Sequence, residues 1–186
     1  MTHYGLHPAW YFSAPSLAWD ATLKITKVQL KLLSDPDMLL MIESGIRGGI
    51  ATISHRHAIA NNKYMGDEFD PVKECKFISY LDANNLCGWA MSKHLPMSGF
   101  EWMTDDGLDD WKHLSCILEV DLDYPEGFHN LHNDYPLAPE RVKIEDVEKL
   151  FPNLKNKTNY VVFYENLKLY EILGLKITKI HRGIKF

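Results

Sequence analysis

The stretch Y-L-D-A-N-N-L-C-G-W-A-M, residues 80–91, places one carboxylate between two kinds of local structure. The apolar run from Lys76 to Leu81 predicts a buried strand that delivers Asp82, and Asn84 and Asn85 predict a tight turn into a short helix. The Asp82 carboxylate and the adjacent main-chain carbonyl of Ala83 are hard oxygen donors on one edge, the kind that Mg2+ takes alongside substrate phosphates. A helix starting near Asn84 or Asn85 adds free backbone N–H groups that favour a bound phosphate. The same carboxylate could equally do no more than cap that helix, and the residues alone leave both readings open.

Other patterns fail by spacing. Asp121 and Asp123 begin an EF-hand-like series, but its fifth position is Pro125 and its twelfth His132. His129-x-x-His132 and His55-x-His57 lack a nearby Cys or Glu set to complete zinc coordination. A Walker loop, G-x-G-x-x-G, G-x-S-x-G and H-E-x-x-H are all absent from the sequence. The aspartates at 105, 106, 109 and 110 read as a solvated turn and helix start.

The elements that must position Asp82 are predicted as follows. Apolar spacing around Leu17, Ala21 and Leu23 predicts a helix within residues 10–33. In S-D-P-D-M-L-L-M-I-E-S-G, Ser34 or Asp35 caps a second helix, Pro36 opens it and Gly45 closes it. After Gly48 and Gly49 the alternating run I-A-T-I-S-H-R predicts a strand, and residues 61–73 a loop. The short helix after Asp82 is expected to end by Pro96, with strands near 97–103 and 114–121 and an irregular segment over 122–143. I-E-D-V-E-K-L-F, residues 144–151, reads as an amphipathic helix. Finally N-Y-V-V-F-Y predicts a strand, N-L-K-L-Y-E-I-L-G a helix closed by Gly174 with Leu167 and Tyr170 inward, and the last residues a strand. The sum is an α+β chain, an antiparallel sheet with helices on one side.

Composition bounds the partners. A hydrophobic fraction of 46% with 24% charged residues is that of an ordinary globular chain. With no apolar run of membrane-spanning length, no membrane partner is expected. Three irregularly spaced cysteines, Cys75, Cys87 and Cys116, predict free thiols and an intracellular, reducing compartment. The net charge of −5 argues against a protein that merely coats nucleic acid, but not against an enzyme acting on it.

The segment L-D-A-N-N-L-C-G-W-A-M-S-K-H-L-P resembles motif A of family-B DNA polymerases, D-x-x-S-L-Y-P, and most of all its protein-primed branch of phages, linear plasmids and Polinton/Maverick-type transposons. Ile46-Arg47-Gly48-Gly49 is similar to the Y-x-G-G segment that joins exonuclease and polymerase domains in that family. The stretch from Thr158 to Phe186 resembles the region these proteins carry before motif B, and H-N-D-Y-P-L-A-P-E-R resembles the transposon branch. The resemblance implies a partial polymerase palm over 50–186, preceded over 1–49 by the end of an exonuclease region and a linker. It also implies DNA-directed DNA polymerisation on a template-primer with dNTPs and Mg2+, and a possible terminal priming protein as partner. Asp82 would then hold metal together with the Ala83 carbonyl, and Asn84, Asn85, Leu86 and Cys87 would lie beside the incoming nucleotide. Arg47, Gly48 and Gly49 would approach the DNA, glycine allowing close passage of the backbone and arginine pairing with phosphate.

The sequence departs from the family pattern in two ways. Motif B, motif C with its second carboxylate and an exonuclease D-x-E are not found in it, which predicts a fragment that is inactive alone, or a non-catalytic remnant that binds DNA or protein. In addition, Ile46 and Cys87 stand where the family carries tyrosines. The tyrosine at the second position stacks under the sugar and blocks a 2′-hydroxyl, for which a thiol is too small. In an enzyme completed around this segment, Cys87→Tyr is therefore expected to raise the preference for dNTPs over rNTPs in competitive incorporation; an unchanged preference would remove Cys87 from the nucleotide site.

Overall fold

The computed structural model describes residues 4–186, with the side chains of Cys87 and Ile144 outside the description. Three helices precede the sheet: α1 (Ala14–Thr26), α2 (Pro36–Gly45) and α3 (Leu86–Met91). Then follow β1 (Glu101–Trp102), α4 (Asp105–Asp109), β2 (Cys116–Asp123), α5 (His129–His132), β3 (Glu140–Ile144), β4 (Val147–Phe151), β5 (Lys157–Phe163), α6 (Tyr164–Ile172) and β6 (Lys176–Lys185). An antiparallel sheet of four strands runs in the order β1-β6-β2-β5, and β3 and β4 form a separate hairpin.

β2 organises the main core. Its residues alternate, so Cys116, Leu118, Val120 and Leu122 share one face and are buried. Tyr160 and Val162 of β5, Leu167 of α6, Leu175, Trp111, Tyr124 and Ala138 pack against them. The opposite face is covered too: Met38 and Met41 of α2 meet Val161 and Ile184, with Ile117 and Trp102 alongside. Helices thus lie on both faces of the sheet, not on one as the sequence suggested.

The α2 boundaries follow the predicted capping chemistry. Asp35 Oδ1 accepts the backbone N–H groups of Asp37 at 2.8 Å and Met38 at 3.4 Å, and Asp35 Oδ2 accepts the Trp102 indole N–H at 3.0 Å. One carboxylate therefore caps the helix and ties it to β1. The Trp102 bond first, then the two backbone bonds, outweigh desolvation and hold the Asp35 carboxyl below its ordinary value.

Several expectations are corrected. Residues 50–56 and 77–81 form no strand, because ladder hydrogen bonds need a partner and these segments have none among the described residues. The one link near the second run is the bridge between Asn61 and Lys76. There the Asn61 side chain knits the predicted loop by donating to the Asp70 and Glu74 carbonyls. The strand near 97–103 shrinks to Glu101–Trp102, the first helix occupies only 14–26, and the helix after Asp82 closes at Met91. Residues 144–151 are not helical: Ile144 faces Val147 across a two-residue turn, with Glu145 at φ 55°. The first arm, R-V-K-I, alternates as a strand does, and its five cross-strand pairs with 147–151 set the register of the hairpin. The helix closed by Gly174 and the last strand form as expected, with Leu167 fully buried.

Gly45 sets the distance between α2 and β5. A Cβ added there would lie 2.9 Å from Val161 Cγ1, so a side chain forces the helix off the sheet. Gly45→Val is expected to cost about 1–3 kcal/mol and to lower the melting temperature by roughly 3–10 °C. An unchanged melt would mean that α2 is not seated on β5.

Candidate functional site

The predicted site residues occupy two places in the fold. Asp82 lies on an exposed, unpaired stretch, with Tyr80 95% and Leu81 89% exposed. It does not leave a buried strand, which corrects the picture drawn from its apolar neighbours. Ala83, Asn84, Asn85 and Leu86 are exposed as well, and α3 begins at Leu86. Cys87 is in that helix, and its side chain lies outside the described residues.

The cap of α3 is Asn85, not Asp82. Asn85 adopts a left-handed conformation (φ 57°, ψ 43°), and its Oδ1 accepts the Gly88 backbone N–H at 3.2 Å. Asparagine tolerates this region better than most residues. Its folded-back amide also requires Gly88, since a Cβ there would sit 2.4 Å from the Asn85 side chain. The Asp82 carboxylate is therefore not the cap, so the blander reading of that residue loses its support.

Asp82 and the Ala83 carbonyl fit Mg2+ in kind, as hard oxygen donors, but one carboxylate is too few for a pair of ions. Among the described residues no group of three or more His, Cys, Asp or Glu side chains is arranged to hold a metal ion.

Arg47 sits elsewhere, where the segment after α2 crosses β5. Its Nη1 donates to the Val161 carbonyl at 2.7 Å and to the Gly45 carbonyl at 3.1 Å, and its guanidinium lies 3.9 Å from the centre of the Tyr160 ring. The β3–β4 hairpin reaches the same segment, with Arg141 Nη2 donating to the Ile46 carbonyl at 2.8 Å. Gly48 and Gly49 follow, exposed, with open space where a Cβ would be. A shallow groove of about 510 Å³ runs past Gly49 between residues 50–54 and the end of the hairpin, and Lys149 lines it.

Beside Arg47 lies a network that carried no sequence signal. The Lys157 ammonium is fully buried and donates to Glu140 Oε2 at 2.9 Å, to the Asn153 carbonyl at 3.3 Å and to Asn153 Oδ1 at 2.5 Å. Burial alone would raise the Glu140 carboxyl; hydrogen bonds from Asn153 and Lys157, with the charges of Lys157 and Arg47, overturn this and hold it below its ordinary value. Lys157 is lowered, because its burial outweighs the attraction of Glu140.

A second polar cluster ties the sheet together at Asp121. Its Oδ1 accepts the Asn159 N–H at 2.8 Å, its main-chain carbonyl accepts the Thr178 hydroxyl at 3.2 Å, and His181 Nε2 lies 2.8 Å from the same Oδ1. By strict hydrogen-bond geometry this Nε2 atom has no partner, so the contact is a close approach and not a formed hydrogen bond. The Asn159 bond first, then His181, hold the Asp121 carboxyl below its ordinary value. The β2–β6 register shifts on both sides of this residue.

Comparison with protein-family models, with curated proteins and with solved structures finds no match to this chain.

Glu140 and Asp121 make the fold sensitive to acid. A carboxylate whose folded pKa is depressed contributes stability above its unfolded pKa, and that stability is lost as pH falls through the folded value. Denaturant melts are expected to show stability falling progressively below roughly pH 4, the ordinary carboxylate range. Glu140→Gln leaves Lys157 buried opposite a neutral group and is expected to cost on the order of 3 kcal/mol at neutral pH, with a shallower acid limb. A variant as stable as the parent would mean that the pair does not hold the hairpin to β5.

Proposed function

We propose that this chain is part of a family-B, protein-primed-type DNA polymerase, in which Asp82 is one of the carboxylates that hold the catalytic Mg2+ ions. One observation carries the reading beyond the sequence pattern: Asp82 is exposed and is not spent on capping the helix that follows, a role taken by Asn85. A carboxylate kept clear of local hydrogen-bonding duties is available to a cation.

Under this reading the motif A resemblance of residues 81–96, the Arg47-Gly48-Gly49 segment and the sheet built from residues 101–185 stand in the order that the family uses. Gly48 and Gly49 offer backbone that a DNA strand can approach, and the groove beside them carries Lys149 for a phosphate. Asp82 supplies one ligand, with the Ala83 carbonyl next to it. Nucleotidyl transfer by two ions about 3.5–4 Å apart needs a second carboxylate, so residues outside this chain would have to complete the centre.

Primer extension with Mg2+ and dNTPs, run beside Asp82→Ala, tests this. The expected result is no extension by this chain alone, and extension that depends on Asp82 once a polypeptide carrying the second carboxylate is supplied in the same reading frame or in trans. Extension by the chain alone that is lost in Asp82→Ala would place the second carboxylate within these residues. Extension in the completed enzyme that is indifferent to Asp82→Ala would overturn the assignment.

A further inference from the structure

The sequence expectation gives Arg47 to the DNA, yet the fold engages that side chain in three ways. Two carbonyls accept from Nη1, the Val161 oxygen at 2.7 Å and the Gly45 oxygen at 3.1 Å. The face of the guanidinium lies on Tyr160, 3.9 Å from the ring centre. The charge also acts on Glu140, whose carboxylate is already held by Lys157 and Asn153.

Position adds to this. β5 is an edge strand of the sheet, and Arg47 reaches the Val161 carbonyl on it. Gly45, two residues before, already lies against Val161. From the other side the hairpin residue Arg141 holds the Ile46 carbonyl at 2.8 Å. Arg47 and the hairpin's Arg141 thus fix residues 45–47, and the next two, Gly48 and Gly49, emerge with their conformation set at one end.

We infer that Arg47 is a positioning residue: it clamps the segment to the edge of β5 so that Gly48 and Gly49 are presented to a nucleic-acid strand, and it does not itself touch that strand. This rests on the polymerase reading for the identity of the ligand, but not for the clamp. The cation that meets a phosphate beside the glycines is then Lys149, which is exposed and lines both the 510 Å³ groove past Gly49, shared with Asp134, and a smaller one of about 170 Å³ past Gly48, shared with Arg141 and Glu148.

The two roles differ in how binding depends on salt. A residue that neutralises one phosphate contributes about 1 to the slope of log K against log salt, whereas a residue acting through the backbone changes affinity at constant slope. The 186-residue chain and its Arg47→Ala, Arg47→Lys and Lys149→Ala variants would be titrated with a labelled primer-template over a range of salt. Hydrogen–deuterium exchange of the Ile46 amide, which donates to the Glu43 carbonyl at 3.1 Å within the clamped segment, would be followed in the same four proteins without DNA.

Arg47→Ala is expected to speed that exchange and weaken binding about tenfold, the cost of ordering one freed residue on contact, with the slope unchanged. Arg47→Lys should behave like the alanine variant, because an ammonium cannot both stack on Tyr160 and reach two carbonyls; it also serves if Arg47→Ala fails to fold. Lys149→Ala should leave the exchange alone and reduce the slope by about 1.

A slope reduced by Arg47→Ala and kept by Arg47→Lys would overturn the proposal in favour of a direct phosphate contact. Exchange unaltered in both Arg47 variants would overturn the clamp. Parent protein that fails to retain DNA even at low salt would remove the polymerase reading, while the exchange data would still decide the clamp.

Discussion

Everything in this fold hangs on β2 being paired along both edges and covered on both faces. Four alternate residues, Cys116, Leu118, Val120 and Leu122, lose essentially all contact with water. Each large apolar side chain so buried contributes about 1.5–3 kcal/mol, which no exposed segment of the chain can match. β5 and β6 are held in place because they complete the β2 ladder, and α6 and α2 because they cover its two faces. Polar ties refine this arrangement rather than create it. Asp35 fastens α2 to β1, Asp121 links β2 to Asn159 and His181, and Lys157 anchors the start of β5 to Glu140 beside the hairpin.

The residues that form this framework were readable because their signals are local or periodic. Asp35, Pro36 and Gly45 bound α2 through capping chemistry that needs no tertiary partner. The alternation in β2 and the apolar run of β5 mark strands whose partners are also in the chain. Residues 77–81 carry an equally strong strand pattern and form none, because a sequence window shows the propensity of a strand but not the existence of its neighbour. The hairpin at 140–151 misled in the opposite way. Its hydrophobic positions follow the helical spacing over eight residues, and the preceding Arg141 and Val142, outside that window, belong to the strand that pairs with 147–151.

Site residues divide along the same line. The sequence offered Asp82 as the cap of α3, and the left-handed backbone of Asn85 with the missing side chain at Gly88 assign that role to Asn85 instead. Arg47 is given to the DNA by the resemblance of Ile46-Arg47-Gly48-Gly49 to Y-x-G-G. Its engagement with Val161 depends on a contact 114 residues away in the chain, which no local pattern encodes. The Lys157–Glu140 pair was missed for the same reason: a lysine in K-N-K-T-N-Y has no mark that distinguishes a buried ammonium from a solvated one.

The exposure of Asp82 imposes a condition on any catalytic role. Groups that hold a reacting centre must stay within about 0.5 Å of their working geometry, which rigid elements achieve and unpaired backbone does not. Here the carboxylate follows Phe77, Ile78, Tyr80 and Leu81, all more than half exposed and apolar on both sides of the run. A strand that is apolar on both sides is suited to the interior of a sheet. Under the polymerase reading the second carboxylate and the ladder partner for residues 77–81 are therefore one requirement. A ligand supplied without strand pairing would leave Asp82 on a mobile tether, and strand pairing without the ligand would fix a single carboxylate that cannot hold two ions. Under that reading Asp82 can serve only where both arrive together.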